Sequence, residues 1–328
     1  MPDRLSLLSF FLISCSCGLS QPALPTRPMH LTAIFATMNR SATAVACVRS
    51  LAAQTRPPDR VIVADNVSSD TTVADLENLS ELPFPLEVLR MEKNAGNAGG
   101  VAAAMDEAFA TGTDAVWILD DDSWPRAEAL AALLEEPWDR KSVRHAHQID
   151  PQTGRFTWPL QVADGDDWRL VWDMTDMPGG AFVRTRILWT GTLLTREIRE
   201  AAGPVMESLF IRGEDEEYPL RIERHGFPFF ACRDAIMDHP GPEDLAEWKF
   251  LGKRLFYERG LADWKLYYKV RNMVWLKHHY DGPIKAAMMA AAYSLAVISL
   301  DGPRRLPLLI EAIRDGFLHR LGKWKRHP

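Results

Sequence analysis

Residues 115–125 read AVWILDDDSWP, an apolar run that ends abruptly in three aspartates. The run predicts a buried strand, and Pro125 stands where the next helix would begin. Side chains alternate along a strand, so Asp120 and Asp122 project to one face and Asp121 to the other. Two carboxylates on one face repel unless a cation lies between them, which predicts a site for Mg²⁺ or Mn²⁺. Aspartate triplets also serve turns and helix N-termini, and that alternative stays open at this point.

Before this stretch, strand-like and helical patterns alternate. Strand-like runs occupy 31–37 (LTAIFAT), 60–65 (RVIVAD) and 86–90 (LEVLR), and helical patterns occupy 41–54, 71–79, 101–110 and 126–136. Strand followed by helix, four times over, predicts an α/β fold with a mostly parallel central sheet flanked by helices. Ligands of such sheets bind beyond the carboxyl ends of the strands, where Asp120 and Asp122 are expected to lie.

The second half of the chain is less regular. Residues 140–212 are typical of antiparallel strands or loops beside the sheet, a helix is expected over 215–225, and FPFFAC and AIMDH predict short strands. From Leu261 onward the pattern indicates three helices in a C-terminal subdomain. We therefore expect a main α/β domain over residues 29–255 and a helical subdomain over 256–328.

The N-terminal segment, residues 1–28, contains an uncharged run from Leu5 to Leu19 that is too short to span a membrane. The run resembles a signal peptide, and LISC at residues 12–15 resembles a lipoprotein cleavage box. The favoured alternative is that residues 1–28 are an upstream extension or leader, and that the working protein begins near Met29.

The composition of the chain argues against several classes of protein. The 328 residues are 47% hydrophobic and 25% charged, which is typical of a folded chain rather than a disordered one. The net charge of −6 argues against a general nucleic-acid binder, which needs clustered positive charge. The four cysteines lack the paired spacing of a metal site and indicate a reducing compartment.

Two C-terminal segments bear on membranes. The uncharged run from Ala286 to Leu300 predicts a packed helix. The tail from Arg304 to His327 alternates apolar with basic residues, which suits either an interfacial helix near anionic lipid or a solvated basic helix.

Further polar groups are expected at the same edge of the sheet. Asp65 and Asn66 end the strand RVIVAD, where a carboxylate can accept an N–H from a base or a hydroxyl from a ribose. In KNAGNAGG, residues 93–100, glycines precede a helix and would let a diphosphate approach its N-terminus. Asx turns and a flexible loop are the respective alternatives. Carboxylates from Glu214 onward either stabilise a helix N-terminus or supply a general base.

In this order the motifs resemble the inverting nucleotide-sugar glycosyltransferases of family two, with the GT-A fold. The similarity is greatest to the bacterial galactofuranosyltransferase and rhamnosyltransferase branch. It runs from about residue 30 to residue 280 through TMNR (37–40), QTRPPDRVIVADN (54–66), the glycine loop, LDDDSWP (119–125), GEDEEYPLR (213–221), the Asp238–His239 pair and YYKVRNMVWL (267–276).

The resemblance implies roles for particular residues. Asp215 would be the catalytic base, and Asp120, Asp122 and His239 would bind the metal. The nucleotide would be contacted by Thr37, Asn39, Arg40, Asp65, Asn66, Asn94, Gly99, Gly100 and Asp121. The sugar or acceptor pocket would include Trp189, Thr190, Gly191 and Glu214, with Trp172 as a further wall; core packing is the alternative for either tryptophan.

The function implied is metal-dependent, inverting transfer of galactofuranose or rhamnose from a UDP- or dTDP-linked donor, with Mn²⁺ or Mg²⁺ as cofactor. The acceptor would be a glycan or lipid-linked glycan in cell-envelope polysaccharide synthesis. Since nucleotide sugars are cytosolic, we expect a cytoplasmic enzyme, with peripheral contact at the inner face of the membrane through the basic tail. A nucleotidyltransferase and a noncatalytic carbohydrate-binding protein that kept the fold are the alternatives. TMNRSATA lacks the basic glycine-rich loop of the former, and the intact set Asp120, Asp122, Asp215 and His239 disfavours the latter.

Overall fold

The computed structural model describes residues 29–186, 189–250 and 253–327, so the leader expected over residues 1–28 lies outside the described residues. The strands are β1 (Leu31–Thr37), β2 (Arg60–Asp65), β3 (Leu86–Arg90), β4 (Ala115–Ile118), β5 (Trp124–Pro125), β6 (Val143–Ile149), β7 (Leu160–Asp164), β8 (Asp167–Val171), β9 (Phe182–Thr185), β10 (Thr192–Thr195), β11 (Phe229–Asp238), β12 (Leu245–Phe250) and β13 (Lys253–Glu258). The helices are α1 (Ser41–Ala52), α2 (Thr72–Glu77), α3 (Gly96–Ala110), α4 (Ala129–Leu133), α5 (Arg196–Ala202), α6 (Glu214–Arg224), α7 (Asp263–Asp281), α8 (Pro283–Leu300) and α9 (Leu306–Phe317).

One large mixed sheet runs through the N-terminal part, in the order β3–β2–β1–β4–β10–β6–β11–β9–β7–β8, with β5 paired to β11. Strands β3, β2, β1 and β4 are mutually parallel, and β6 is parallel to β11. Strand β10 enters between β4 and β6 antiparallel to both. The carboxyl ends of β1, β2 and β4 therefore meet at one edge, while β10 begins there.

Both faces of the central strands are buried. Every residue of β1 is buried, and its side chains alternate between two cores, with Phe35 in one and Ile34 in the other. Burial on both sides explains the continuous apolar runs, because a half-exposed strand would alternate with polar residues. The parallel α/β sheet predicted from the sequence is confirmed.

Three local details differ from the sequence-based expectations. Pro125 does not begin a helix, since it lies in β5 and pairs with Met237 of β11. Helix α3 begins at Gly96, five residues before the expected Val101, so the glycines lie within its first turns. The two short strands expected after residue 227 form one strand, β11, with an irregularity between Ala231 and Ile236.

The C-terminal part consists of the β12–β13 hairpin followed by α7, α8 and α9, with a third core between them. The boundary expected at residues 255 and 256 lies within β13. Helices α8 and α9 both pack on α7. Within the described residues, α8 is the one helix long and apolar enough to cross a membrane, and a third of it is buried in the protein; core helices meet the same criterion.

Candidate active site

Polar side chains converge where the parallel strands end. Thr37 and Asp65, the last residues of β1 and β2, lie opposite each other in register. Asp120, Asp121 and Asp122 follow β4 after a single residue, Leu119. Their convergence follows from the topology, because parallel neighbours end at the same edge of the sheet.

Two of these aspartates meet a histidine from the other half of the sheet. The Nε2 atom of His239, which follows β11, lies 3.8 Å from Asp120 Oδ2 and 3.5 Å from Asp122 Oδ1. One ligand atom from each of the three residues lies within 4.8 Å of the others. Burial lowers the pKa of His239, but the two carboxylates outweigh it and raise that pKa above its ordinary value. Two carboxylates and an imidazole are a donor set for a divalent metal ion, in which the carboxylates suit Mn²⁺ or Mg²⁺ and the imidazole favours a transition metal.

The middle aspartate makes different contacts. Asp121 accepts a hydrogen bond from the Thr37 hydroxyl at 2.8 Å and pairs with Arg40 Nη1 at 3.1 Å. The second guanidinium nitrogen of Arg40 donates to Asp122 at 2.8 Å. Burial raises the pKa of Asp121 to about 7, against the opposing effects of Arg40 and Thr37. Arg40 thus compensates part of the negative charge that the three aspartates concentrate here.

The segment before β10 lines the other side of the cluster. The Thr190 hydroxyl donates to Asp120 Oδ2. Gly191 adopts φ +83°, and a Cβ there would lie 2.6 Å from Met237 Sδ. Trp189 is only 5% exposed and packs edge-on against Tyr218 in the core. Thr190 therefore contacts the carboxylate cluster directly, whereas Trp189 lies behind it.

Asp65 keeps one carboxylate oxygen free. Its Oδ2 accepts a hydrogen bond from the Ser68 amide at 3.0 Å, while its Oδ1 is buried without a hydrogen-bond partner in the part of the chain that the structure describes. Nearby, Asn39 has φ +53° and its Oδ1 accepts from the Ser69 amide at 2.7 Å. A buried, unpaired acceptor is costly, so Asp65 Oδ1 suits an N–H or O–H donor from a ligand.

Asn66 and the glycines bring α3 close to the sheet. Asn66 accepts from the Ala95 amide and donates to the Gly96 carbonyl, both at 3.1 Å. A Cβ on Gly100 would lie 2.7 Å from that of Ala36 and 2.8 Å from Asn66 Nδ2, and a Cβ on Gly99 would collide with Ala95. Asn94 accepts from the Gly96 amide at 2.9 Å. These contacts explain Gly100 by close packing of the helix on the sheet and Gly99 by its contact with Ala95, apart from any role toward a ligand.

Two acidic residues open α6 beside this cluster. Asp215 Oδ1 accepts from the Gly213 amide at 2.7 Å, and its side chain is exposed to solvent. The pKa of Asp215 is raised, because the surrounding protein crowds the carboxylate and Asp120 adds repulsion, which together outweigh the attraction of Arg212. Glu214 is buried, accepts from Asn97 Nδ2 at 3.1 Å, and has its pKa raised by burial and by Asp215.

The loop that leads into α6 has an unusual backbone. Phe210, Arg212 and Gly213 have φ values of +67°, +59° and +149°. A Cβ on Gly213 would lie 2.7 Å from the Cβ of Asn272, so glycine is required on both conformational and steric grounds.

Sequence reasoning missed how this loop is held. Asn272 Nδ2 in α7 lies within hydrogen-bond distance of the carbonyls of Leu209 (3.0 Å), Ile211 (3.0 Å) and Arg212 (2.8 Å). Neighbouring Arg271 also donates to the Leu209 carbonyl, at 2.9 Å. The signal was present in YYKVRNMVWL, where two polar residues stand in a run that is otherwise mostly apolar and aromatic.

A second anchor fixes Arg212. Its guanidinium pairs with Glu258 of β13 at 2.8 Å, and Lys269 of α7 donates to the same carboxylate at 2.8 Å. Burial raises the pKa of Glu258, but Arg212 and Lys269 outweigh it and lower that pKa to about 2. The C-terminal subdomain therefore holds the residues before Asp215 through both α7 and β13.

Comparison with known proteins identifies the family. The model of "Glycosyl transferase family 2" matches residues 32–189. Galactofuranosyltransferase GlfT1 of Mycolicibacterium smegmatis is 30% identical over 262 residues, covering 74% of this chain and 82% of that protein. The chain belongs to glycosyl transferase family 2. GlfT1 of Mycobacterium tuberculosis is 34% identical over 201 residues, and the match covers 59% of this chain and 64% of that GlfT1 protein.

Solved structures support the same fold. TarS of S. aureus (residues 1–349) has a TM-score of 0.55 at 17% identity, and the match covers 89% of this chain and 82% of the TarS chain. A mannosyltransferase from Pyrobaculum calidifontis, solved with GDP-Man and Mn²⁺, has a TM-score of 0.51 at 19% identity. The match covers 88% of this chain and 75% of the mannosyltransferase chain. This family 2 chain is therefore a glycosyltransferase with a GT-A fold, as the sequence motifs predicted, and the comparisons favour that class over a nucleotidyltransferase.

Proposed function

We propose that this family 2 enzyme transfers galactofuranose, with inversion, from UDP-galactofuranose to a glycan or lipid-linked glycan of the cell envelope. The relatives named galactofuranosyltransferase support the choice of sugar. The main structural support for the proposed reaction is the position of Asp215 beside the cluster of Asp120, Asp122 and His239. Rhamnose from dTDP-rhamnose is the second candidate, because the sequence motifs are shared by both branches.

In this proposal Asp120, Asp122 and His239 would hold Mn²⁺ or Mg²⁺, which would neutralise the negative charge that develops on the leaving donor diphosphate. Thr190 orients Asp120 through its hydroxyl. Arg40 bridges Asp121 and Asp122 and limits the repulsion among the three carboxylates.

The nucleotide lies on the other side of the cluster. Asp65 Oδ1 accepts an N–H from the base, and Asp121 lies toward the ribose, on the side of Thr37. The remaining proposed contacts, on the β1, β2 and α3 sides of the cleft, are Asn39, Arg40, Asn66, Asn94, Gly99 and Gly100. Thr190, Gly191 and Glu214 border the sugar on the side of Asp215, with Trp189 behind them in the core.

Asp215 takes the proton of the acceptor hydroxyl as that hydroxyl attacks the anomeric carbon from the face opposite the leaving diphosphate. A raised pKa makes the carboxylate a stronger base, while the attraction of Arg212 keeps its charged form accessible. Burial and Asp215 raise the pKa of the neighbouring Glu214, which favours its neutral form. This shift favours one negative charge rather than two at the position of the catalytic base.

We place the reaction in the cytoplasm, since nucleotide sugars are cytosolic. Contact with the inner face of the membrane belongs to the same proposal, because a lipid-linked acceptor would be presented there.

The experiment that tests this function is Asp215→Asn. We expect donor binding to persist and transfer to fall by about 10² to 10⁴, the contribution typical of a general base. Binding is measured by calorimetry with UDP and Mn²⁺, and transfer by product mass with UDP-galactofuranose and dTDP-rhamnose in parallel.

Glu216→Gln is the matched control, because Glu216 is the next acidic residue of the same helical turn and is also exposed. It should retain transfer. Near-normal transfer by Asp215→Asn would remove Asp215 as the base, and a product from dTDP-rhamnose alone would replace the proposed sugar.

A further inference from the structure

Exposed apolar side chains are concentrated in the C-terminal helices. The described residues include nine large hydrophobic side chains that are exposed, and two of these, Met38 and Val67, border the candidate active site. The other seven are Ile284, Met288, Leu295, Ile298, Leu306, Ile310 and Leu318. A surface this rich in apolar groups within one subdomain indicates an interaction site.

Helix α8 carries the longest part of this surface. Ile284, Met288, Leu295 and Ile298, which we name the α8 stripe, follow one another at helical spacing on a single face. The opposite face, with Tyr293 and Ala296, packs into the core formed with α7. No charged residue occurs between Lys285 and Asp301, so the outward face is apolar along nearly the whole helix.

The segment that contains the α8 stripe has a net charge opposite to that of the whole chain. Residues 282–328 contain eight Lys or Arg against three Asp or Glu, although the protein carries a net charge of −6. Lys285 stands at the start of α8 with 63% of its side chain exposed, and Arg304 is exposed just after the end of the helix. An apolar stripe with cations at both ends complements a surface that is apolar inside and anionic outside.

We propose that the α8 stripe lies in the plane of an anionic lipid bilayer, with Lys285 and Arg304 at the headgroups. The helix does not span the bilayer in this arrangement, because its inner face is committed to the core with α7. A second copy of the chain fits less well, since a two-fold contact through the stripe would bring cations of both copies together. The inference deepens the proposed function and rests on it only for the lipid-linked acceptor.

The experiment is co-sedimentation of the full chain with vesicles of phosphatidylcholine alone or mixed with phosphatidylglycerol. The wild type should sediment with the anionic vesicles and much less with the neutral ones, and salt should weaken the binding. Leu295→Glu, at the middle of the stripe, should reduce binding about tenfold or more. Leu295→Ser tests the loss of apolar area without an added charge, and it should reduce binding less.

Ala110→Glu is the matched control, because it adds the same charge at an exposed helical position on α3. It should bind vesicles as the wild type does. Wild-type protein that remains in the supernatant with anionic vesicles would overturn the proposal. The proposal would also be overturned if light scattering shows a wild-type dimer that Leu295→Glu converts to a monomer while vesicle binding stays unchanged.

Transfer to a soluble acceptor tests the proposed function independently of membrane binding. Leu295→Glu should retain transfer to a short soluble glycan, because the stripe makes no contact with the carboxylate cluster. Vesicle binding by a wild-type protein that transfers no sugar would refute the proposed function and leave the membrane surface standing.

Discussion

Asp65 holds one carboxylate oxygen with a backbone amide and leaves the other buried and unpaired among the described residues. Such a half-satisfied carboxylate has a cost in stability, because a buried acceptor without a donor loses its hydration. A ligand that supplies the missing donor recovers that free energy on binding.

We therefore predict that Asp65→Asn weakens UDP binding by about ten- to hundredfold. Asparagine has one acceptor oxygen, which the Ser68 amide already uses, so the variant presents an NH₂ group to the base where an acceptor is required. Calorimetry with UDP and Mn²⁺ measures the effect. Asp166→Asn, an exposed change on the β7–β8 turn, is the control, and equal affinity in both variants would refute the assignment of Asp65.

At the scale of elements, the residues before the base are shaped by a helix that carries no catalytic group. One carboxamide in α7 accounts for three carbonyl contacts of the loop, whose φ angles fall in a region that favours glycine. Asn272 is thus a positioning residue that acts through the backbone before Asp215.

Asn272→Ala should lower kcat by tenfold or more while changing the KM for the donor little, because Asp65 and the metal ligands lie on other elements. The free energy of unfolding should also fall, by about 1–3 kcal/mol, for the carbonyls left without a donor. Steady-state kinetics and urea unfolding give the two readouts. Asn78→Ala, at the exposed end of α2, should change neither, and a rise in KM with unchanged kcat would contradict a positioning role.

The ion pairs of Glu258 predict a pH dependence of stability. The folded pKa, about 2, lies below the ordinary value, so Arg212 and Lys269 stabilise the charged form. This stabilisation is fully present above the unfolded pKa of about 4.3 and is lost as the pH falls toward 2.

Glu258→Gln should therefore unfold more easily than the wild type at pH 7, by up to about 3 kcal/mol, and the difference should shrink between pH 4.5 and pH 2. Urea unfolding across this range measures it. Glu243→Gln, an exposed carboxylate before β12, supplies the control. A difference that stays constant down to pH 2 would show that the charge of Glu258 is not the cause.

For the whole molecule, the candidate active site joins segments from both halves of the sheet. A ligand that bridges them binds the folded chain and not the unfolded one, so it must raise the melting temperature. We predict that UDP with Mn²⁺ raises it by a few degrees, that UDP alone does so much less, and that a chelator reverses the effect.

His239→Gln should abolish most of the shift that requires Mn²⁺, because it removes the imidazole ligand. His225→Gln, at the exposed end of α6, is the matched control and should retain it. If UDP raises the melting temperature equally in the presence and absence of Mn²⁺, the result would argue against a metal-dependent donor site.

The parallel half of the sheet could be predicted from the sequence because burial on both faces leaves a direct pattern of apolar runs such as LTAIFAT and RVIVAD. The class of enzyme could be predicted because its motifs lie at strand ends in a fixed order. The beginning of α3 could not, since glycine is a poor helix former and Gly96 and Gly100 are packed against Phe210 and Ala36, which lie far from them in the chain.

The β12–β13 hairpin joins strands that are adjacent in the chain, and it was not predicted. The anchoring of the loop by Asn272 could not be predicted in full either, because polar residues in the apolar run YYKVRNMVWL indicate a buried contact but not its partners. Those partners lie far away in the chain, as Arg212 does from Glu258. Pro125 shows the same limit, because its pairing with β11 overrides its local preference for a helix start.

The distance along the chain between Asp120 and His239 has a consequence for synthesis. About a third of the sequence separates these two residues, and β10, β6 and β11 must pair before they meet. A nascent chain emerging from the ribosome therefore has paired aspartates but no site until residue 239 is free to fold. Closing such long-range strand pairs is slow, so the ability to bind a donor should appear late and together with the completed sheet.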